Sequence, residues 1–308
     1  MDPTIMPTKI VKIYGQIRKI ELEKASMCAK DLFENFPSMF REPEIFRLIE
    51  FDWSIFISKM KREIGGLYWN YSAPVIVVID GEIIGDDESF AVWAKKNLNW
   101  HDHRPTILYN TLAHINFVRE MYKRNLLYAK MSIAIDGEIC GDLVFELYRD
   151  LLPKTCENFR ALCTGEMGTI PKNELQNYKM KYEGTKFFRL VKHGWIQGGD
   201  IMYNRGNDGY SIYGPTFEDE NFGVKHDARG ILSMANAGRH TNASQFFITL
   251  APTPWMDKLY VAFGRVIIGS ATLDRMEAVP TDNERPTQDI SIVKCQIITG
   301  EDINHGLV

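Results

Sequence analysis

Two stretches in the second half of the chain constrain its fold most, because each combines short β-type runs with regularly placed polar side chains. They are residues 186–200 (KFFRLVKHGWIQGGD) and residues 230–249 (GILSMANAGRHTNASQFFIT). Glycine and asparagine break both stretches into strands joined by tight turns. The polar residues on otherwise apolar runs are Arg189, Gln197, Asn236 and Gln245. Arginine and glutamine supply hydrogen-bond donors, while Phe and Trp supply apolar wall, so the pattern predicts a groove that holds an apolar group and grips the adjacent peptide backbone.

Four motifs, in order along the chain, resemble those of the cyclophilins, the peptidyl-prolyl cis/trans isomerases. They are FFRLVKHGWIQGGD, IYGPTFEDENF, GILSMANAGRHTNASQFFIT and PTPWMDKLYVAFGRV. The likeness extends over residues 129–300 almost without gaps, and it is greatest to divergent isomerase-like members with an extra N-terminal region. The resemblance implies a closed antiparallel β-barrel capped by two helices, with the site on the outer surface.

The resemblance also implies roles for individual residues. Arg189 matches the catalytic arginine of an active member, and Gln197 matches the glutamine that grips a substrate carbonyl. Arginine suits the catalytic role because it stays charged and its donors are rigidly placed. The remaining positions that match the substrate groove are Ala235, Asn236 and Ala237 on its edge, Gln245 and Phe247 on its far wall, Trp255 on its rim, Met256 where leucine is usual, and Tyr260 where histidine is usual.

The proline pocket departs from the family pattern at its principal walls. Gly194 and Trp195 stand where the family has an aromatic residue followed by methionine, and Phe188 replaces a histidine before the arginine. Trp195 and Gln197 share one face of a regular strand, so the indole is expected to point into the groove. Two interpretations follow: the indole fills the pocket, which is the one we favour, or it replaces the missing ring.

These departures lead to two hypotheses about function. A prolyl bond isomerises against a barrier of about 18–20 kcal/mol, and catalysis needs a fixed ring and a donor to the twisted amide, with no cofactor and no metal. The first hypothesis is an inactive or weakly active homologue that binds proline-containing or extended segments as a scaffold protein. The second is a working isomerase that assists protein folding.

The first half of the chain has the predicted order β-α-β-α-β-β-α, which resembles the thioredoxin and glutaredoxin fold. Residues 72–90 (SAPVIVVIDGEIIGDDESF) are similar to the segment that holds a cis proline in that family, here Pro74. The redox motif CxxC is absent, and Gln16-Ile-Arg-Lys occupies its place. Cys28 lies on the apolar stripe of the first helix and is interpreted as core, since a reactive thiol needs an exposed, electropositive setting.

The fold class expected is therefore a two-domain α+β protein. A second predicted helix begins at Ser54 as N-cap, after a strand over residues 46–51, and Asp86 or Asp87 is expected to cap a third. The predicted organisation is a thioredoxin-like domain over residues 1–98, a linker and amphipathic helix over 99–128, a cyclophilin-like domain over 129–300 and a tail over 301–308. Residues 169–182 form a predicted long loop.

Composition excludes several classes of partner and compartment. The 308 residues are 45% hydrophobic and 25% charged, as in ordinary globular proteins, and the net charge of −4 provides no electrostatic basis for binding nucleic acid or an anionic membrane. Neither a secretory signal nor a membrane span is expected. The five cysteines lack metal or disulfide spacing, which indicates free thiols in a reducing compartment and a cytoplasmic location. The resemblance adds a ciliary or cytoskeletal association as an expectation.

Several polar residues invite a metal or catalytic interpretation that their context does not favour. His101 and His103 lie on a predicted loop without a third ligand, and residues 218–221 (EDEN) lack ligand spacing. His193, His226 and His240 lie beside predicted turns, and each is expected to be solvated.

Overall fold

The fold was analysed in a computed structural model that describes residues 8–124, 126–170, 178–298 and residue 302. The chain divides into two compact units, Met1–Arg124 and Asn125–Val308. The predicted tail over 301–308, apart from Asp302, and half of the predicted loop over 169–182 lie outside the described residues. The helix predicted in the connection between the domains belongs to the first unit.

The first unit is an α/β domain built on a mixed sheet with the strand order β2-β1-β3-β4. β1 pairs in parallel with β2 and antiparallel with β3, and β3 pairs antiparallel with β4. The elements are β1 (Val11–Gln16), α1 (Ile20–Asn35), β2 (Glu44–Leu48), α2 (Glu50–Ile64), a 3₁₀ turn (Gly66–Asn70), β3 (Val75–Ile79), β4 (Glu82–Gly85), α3 (Asp87–Leu98) and α4 (Thr106–Arg124).

The core of this unit lies between the sheet and helices α1 and α3. Val11, Ile13 and Val77 of the sheet face Leu22 and Phe90 of the helices, all of them buried. Cys28 belongs to the same cluster, and burial raises the pKa of its thiol, so the sequence interpretation of a core cysteine is confirmed.

The predicted linker after α3 is held firmly against α1. Trp100 Nε1 donates to Asp31 Oδ2 at 2.9 Å, and Arg104 Nη2 pairs with Asp31 Oδ1 at 2.6 Å. On α4, Asn116 Nδ2 donates to Glu23 Oε2 at 2.9 Å. Because polar groups from the linker and from α4 meet on α1, the connection is a structured part of the first unit.

The predicted order of elements in the first half is observed, but two details differ. α2 begins at Glu50 rather than after Ser54, whose hydroxyl donates to the Glu50 carbonyl oxygen, so the preceding strand ends at Leu48. Acidic residues in the first turn of α2 favour the earlier start through the helix dipole. No peptide bond among the described residues is cis, so Pro74 departs from the thioredoxin pattern, and the thioredoxin-like assignment stays a prediction. The cap of α3 is Asp86, whose carboxylate accepts from Ser89 N.

The second unit is a barrel-like sheet of 9 strands in the order β7-β15-β5-β6-β12-β10-β11-β9-β8. All its pairings are antiparallel. The elements are β5 (Leu127–Ile135), β6 (Glu138–Leu147), α5 (Pro153–Thr164), β7 (Lys186–Phe187), β8 (Arg189–Val191), β9 (Trp195–Gly198), β10 (Ile231–Met234), β11 (Phe246–Thr249), a 3₁₀ turn (Pro254–Met256), β12 (Ala262–Ile268), α6 (Ser270–Ala278), β13 (Thr281–Asp282), β14 (Arg285–Pro286) and β15 (Ile290–Ile298).

The two edge strands of this sheet, β7 and β8, are consecutive in the chain and are separated only by Phe188. β7 pairs with β15 at one edge and β8 pairs with β9 at the other, and Phe188 N donates to Gln197 O at 3.0 Å. This segment is the seam that brings the two edges together. The predicted fold class, an α/β domain followed by an antiparallel barrel with two helices, is confirmed.

Aromatic rings fill the interior of the barrel beneath α5. The ring of Phe159 on α5 packs edge-on against Phe246 at 5.4 Å and against Phe145 at 6.2 Å. α5 begins at Pro153, and its first N–H groups donate to the carboxylate of Glu220, at 2.9 Å for Thr155 N. The predicted metal-like residues 218–221 therefore contribute to helix capping.

Candidate functional site

Strands β8, β9 and β11 lie side by side and carry the predicted site on their outer face. Across these strands Gln197 lies directly between Arg189 and Phe247 in register, and Trp195, two residues away on β9, lies between Val191 and Thr249. The alternate residues, such as Ile196, are buried in the barrel. Trp195 and Gln197 therefore share the outer face, as predicted.

Arg189 has two partners on this face, and neither is Gln197. Its Nε–H donates to Glu284 Oε2 at 2.7 Å, and its Cζ lies 5.1 Å from the ring centroid of Trp195. Among the described residues neither Nη atom of Arg189 has a hydrogen-bond partner. The guanidinium is thus oriented by an indole and a carboxylate while its terminal donors remain available.

Glu284 reaches Arg189 because it lies at the tip of the β13–β14 hairpin. Asn283 and Glu284 have φ of 48° and 65°, the left-handed pair typical of a two-residue hairpin turn. The carbonyl oxygen of Glu284 also accepts from Leu190 N at 2.7 Å, which fixes the tip on β8. Sequence reasoning missed this residue, because 95 positions separate the two partners and no local motif links them.

The predicted backbone-gripping residues with amide side chains are Gln197, Asn236 and Gln245, here called the amide set, and each hydrogen-bonds to a neighbouring side chain or carbonyl group. Gln197 Nε2 donates to Gln245 Oε1 at 2.9 Å, and Gln245 Nε2 donates to the carbonyl oxygen of Asp208 at 2.7 Å. Asn236 Nδ2 donates to Leu259 O at 3.0 Å, which holds the turn that follows β10. Ala235 and Ala237 flank Asn236, half-buried and exposed respectively.

The predicted apolar walls pack on one another. The ring of Phe247 is 2% exposed, stacks on His226 at 5.8 Å and meets Tyr260 edge-on at 5.4 Å. Met256 is only 5% exposed, whereas Trp255, predicted for the rim, is 62% exposed. Phe247 and Met256 therefore offer almost no accessible surface to an incoming ring.

A cavity of about 680 Å³ lies beside the amide set. Gln197, Asn236 and Gln245 contribute to its wall together with Ala235 and Ala237. Trp195, Phe247, Trp255, Met256 and Tyr260 do not line it. The structure thus brings the predicted backbone-gripping residues to an open space and leaves the predicted ring-holding residues outside it.

The substituted positions have local explanations. The ring of Phe188 is packed so closely on Gly206 that a Cβ at residue 206 would lie 2.3 Å from it. Gly194 is buried in the β8–β9 turn, where a Cβ would meet Val191 Cγ1 at 3.0 Å. Trp195 contacts Arg189, a pairing that neither sequence interpretation of the indole included, so the two interpretations stay open.

One histidine prediction is wrong. His226 is 0% exposed, and its ring lies between Asp257 Oδ1 and Ser233 Oγ, each at 3.0 Å. Burial lowers the pKa of His226, and the hydrogen bond to Asp257 partly opposes that shift. The imidazole ring of His226 packs against the ring of Phe247, so the role of His226 is structural. By contrast, His193 and His240 are exposed, as predicted.

The other polar candidates form no site in the part of the chain that the structure describes. The rings of His101 and His103 stack on one another at 6.1 Å. Over residues 8–124, 126–170 and 178–298, three or more metal-ligating side chains nowhere converge. Within the same ranges, no helix has the length and apolar character needed to cross a bilayer.

Comparison with models of protein families shows to which family the chain belongs. The model of the cyclophilin type peptidyl-prolyl cis-trans isomerase/CLD family matches residues 130–297. The chain belongs to the cyclophilin family. The match begins inside β5 and ends inside β15, so it spans the barrel of this cyclophilin from its first strand to its last.

Individual relatives extend the similarity to the first unit. "Probable inactive peptidyl-prolyl cis-trans isomerase-like 6" of Bos taurus is 43% identical over 285 residues, which cover 92% of this chain and 91% of that protein. The protein of the same name in Homo sapiens is 43% identical over 279 residues, covering 90% and 88%.

Two further matches concern the barrel. "Peptidyl-prolyl cis-trans isomerase cyp11" of Rhizopus delemar is 47% identical over 165 residues, 53% of this chain and 48% of that protein. A crystal structure of a cyclophilin type isomerase from Cryptosporidium parvum covers 56% of this chain and 98% of its own, with 36% identity and a TM-score of 0.49.

Proposed function

We propose that this cyclophilin homologue binds proline-containing or extended segments of a partner and has little or no prolyl isomerase activity. One observation carries the proposal: the 680 Å³ cavity is lined by Gln197, Asn236 and Gln245, whereas Phe247 and Met256 are nearly buried and do not line it. A docking segment finds its backbone partners, whereas Phe247 and Met256, two of the residues that match the proline pocket, expose little surface to its proline ring.

The chemistry explains why this arrangement favours binding over turnover. Catalysis requires interactions that are stronger in the twisted transition state than in the planar amide. A ring that is not held in place leaves the donor without a fixed target, and each 1.36 kcal/mol of lost transition-state stabilisation slows the reaction about tenfold. Binding an extended backbone needs no such discrimination, because amide groups grip both isomers.

The environment of Arg189 supports the same conclusion. Glu284 compensates part of its charge, and the Trp195 face orients the guanidinium plane. The Nη donors remain without a partner among the described residues, so Arg189 can still donate to a carbonyl of a bound segment. The retained arginine is thus consistent with binding, and the words "Probable inactive" in the names of the bovine and human relatives agree with the proposed lack of turnover.

Exchange NMR on a Gly-Pro peptide tests the proposal, because it reports binding and isomerisation together. We expect peptide-induced shifts at Gln197, Asn236 and Gln245 and an interconversion rate within about twofold of the rate without protein, which corresponds to less than 1 kcal/mol of catalysis. Arg189→Ala is the matched control for background. An Arg189-dependent acceleration of about a thousandfold or more would establish the alternative, a working isomerase that assists folding.

The cellular role remains part of the proposal. We infer a scaffold in which the first unit adds a second binding surface, located in the cytoplasm and associated with a cytoskeletal or ciliary assembly. The two-unit architecture, shared with relatives that match over at least 90% of the chain, supports a role beyond the barrel alone. Imaging the tagged full chain in ciliated cells tests the location, and a diffuse distribution unchanged by removal of residues 1–124 would contradict it.

A further inference from the structure

The 680 Å³ cavity has a second wall whose chemistry differs from that of the amide set. Aromatic and acidic residues form this wall, with Tyr178, Tyr203 and Tyr210 around Asp208. This wall borders the same space as Gln197, Asn236 and Gln245, so a side chain of a segment bound to them would contact it.

The described part of the cavity lining carries a negative charge. Asp208 is exposed, lines the cavity and has no ion-pair partner among the described residues. Lysine, arginine and histidine are absent from the described residues that line the cavity. A second carboxylate, that of Asp200, is fully buried in the adjacent loop and accepts four backbone N–H groups at 2.8–3.0 Å, from Met202, Tyr203, Arg205 and Gly206.

The tyrosines add aromatic faces to this negative environment. The rings of Tyr178 and Tyr203 meet edge-on, with centroids 5.3 Å apart, so the two ring planes lie at a steep angle to each other. The pKa of Tyr178 is raised to about 12, chiefly by its hydrogen bond to Tyr203, with smaller contributions from Asp208 and Asp200. Both carboxylates therefore lie close enough to act on the tyrosine pair.

We propose that this cavity takes a basic side chain, arginine by preference, from the segment docked along Gln197, Asn236 and Gln245. The inference rests on the proposed binding function and specifies its ligand. A cation over a tyrosine face gains about 0.5–2 kcal/mol, depending on how far it is desolvated. A carboxylate at the same site adds a charge-assisted hydrogen bond.

Arginine fits this wall better than the alternatives. Its planar guanidinium stacks on tyrosine and forms paired hydrogen bonds to a carboxylate, whereas lysine offers a compact, strongly hydrated charge. An acidic side chain meets Asp208 without a cation to compensate it. An apolar side chain would desolvate the Asp208 carboxylate without pairing its charge, which costs free energy.

The test compares arginine with citrulline, its neutral near-isostere. The probes are Gly-rich octapeptides with a central Gly-Pro in which one residue, moved through each position before that pair, is arginine, citrulline or glutamate. Binding to the ¹⁵N-labelled full chain is followed by NMR titration. We expect arginine at one position to bind at least about tenfold more tightly than citrulline, and glutamate to bind most weakly.

Variants of the wall locate the effect. Asp208→Asn and Tyr178→Leu should each reduce the preference for arginine over citrulline, whereas Tyr178→Phe, which keeps the ring, should retain most of it. Glu138→Gln, at the β5–β6 turn and outside the lining, is the charge-matched control and should change nothing.

The outcomes separate this inference from the function on which it rests. Equal affinity for arginine and citrulline at every position, with both bound, would overturn the basic-side-chain inference and leave the binding function intact. An unchanged arginine preference in Asp208→Asn and Tyr178→Leu would also overturn it. Absence of binding by every peptide would remove the proposed function and this inference together.

Discussion

The guanidinium of Arg189 lies over the indole of Trp195, with 5.1 Å between Cζ and the ring centroid. The two residues are on adjacent strands and meet diagonally, since Arg189 is directly opposite Gln197 in register. Diagonal neighbours on one face of a sheet come within reach when both side chains are long. The pairing therefore follows from the strand register combined with an indole at position 195.

Removing both partners should reveal their coupling. In a double-mutant cycle of Arg189→Met and Trp195→Leu, we expect a coupling of about 0.5–1 kcal/mol in the free energy of unfolding, as for exposed cation–π pairs. Urea denaturation of the full chain measures it. The Arg189–Glu284 cycle serves as the control: that exposed ion pair should couple by less than about 1 kcal/mol and weaken in high salt. Zero coupling in the first cycle would show that the stacked geometry is not populated.

Restoring an aromatic wall at Gly194 should require space from its neighbour. A Cβ at Gly194 would lie 3.0 Å from Val191 Cγ1, so we expect Gly194→Phe to lower the free energy of unfolding by about 1–3 kcal/mol. Gly194→Phe combined with Val191→Ala should recover part of this loss. Denaturation curves of the single and double variants test it. If Gly194→Phe and wild type were equally stable, the prediction would be wrong, because the β8–β9 turn would then accommodate the larger side chain without loss of stability.

The buried carboxylate of Glu146 predicts an asymmetric response to substitution. Glu146 is 2% exposed, lies opposite Arg265 on β12 and accepts from its Nε at 2.5 Å. Arg265→Met should cost about 3–5 kcal/mol because it leaves a buried charge with fewer partners. Glu146→Leu combined with Arg265→Met should cost clearly less. A double variant as unstable as Arg265→Met alone would contradict this account.

Asp87 should make the first unit less stable as pH rises. Burial raises its pKa from 3.8 to about 6 despite Lys24, whose Nζ lies 3.8 Å away. The folded pKa lies above the unfolded value, so the stabilising contribution is fully present below about pH 4 and is lost as pH rises through about 6. Asp87→Asn should therefore match wild type at low pH and exceed its stability by about 1–3 kcal/mol at neutral pH. Glu88→Gln, at an exposed position on the same turn, is the control. Urea unfolding midpoints of wild type and both variants, measured across this pH range, test the prediction.

Local patterns predicted most elements and the outer face of the site. Alternation placed Trp195 and Gln197 together, and the glycine and proline positions marked both ends of α5. These predictions succeeded because each depends on residues a few positions apart. The predicted start of α2 was wrong because its N-cap residue, Ile49, has no polar side chain that could mark the start. The sequence feature that marks it is the acidic first turn.

Long-range partners were beyond the reach of sequence reasoning. His226 is buried because Asp257, 31 residues later, accepts its hydrogen bond, and nothing near His226 in the sequence shows this. Glu284 and Asp208 were missed for the same reason, since a carboxylate in a turn is ordinarily solvated. The closure of the barrel brings the turns that carry Glu284 and Asp208 against the site, and no local sequence pattern predicts this.

The seam at Phe188 fixes the position of residue 189 independently of the side chains that surround it. Because residues 186–191 join both edges of the sheet, the coordinates of position 189 are set by main-chain pairing, whatever side chain stands there. Substitutions of the surrounding side chains leave this main-chain pairing in place, so they change what the surface can contact without moving the backbone of residue 189. The position of Arg189 is thus a property of the barrel backbone, and its presence alone does not distinguish a surface that binds a peptide from one that also isomerises it.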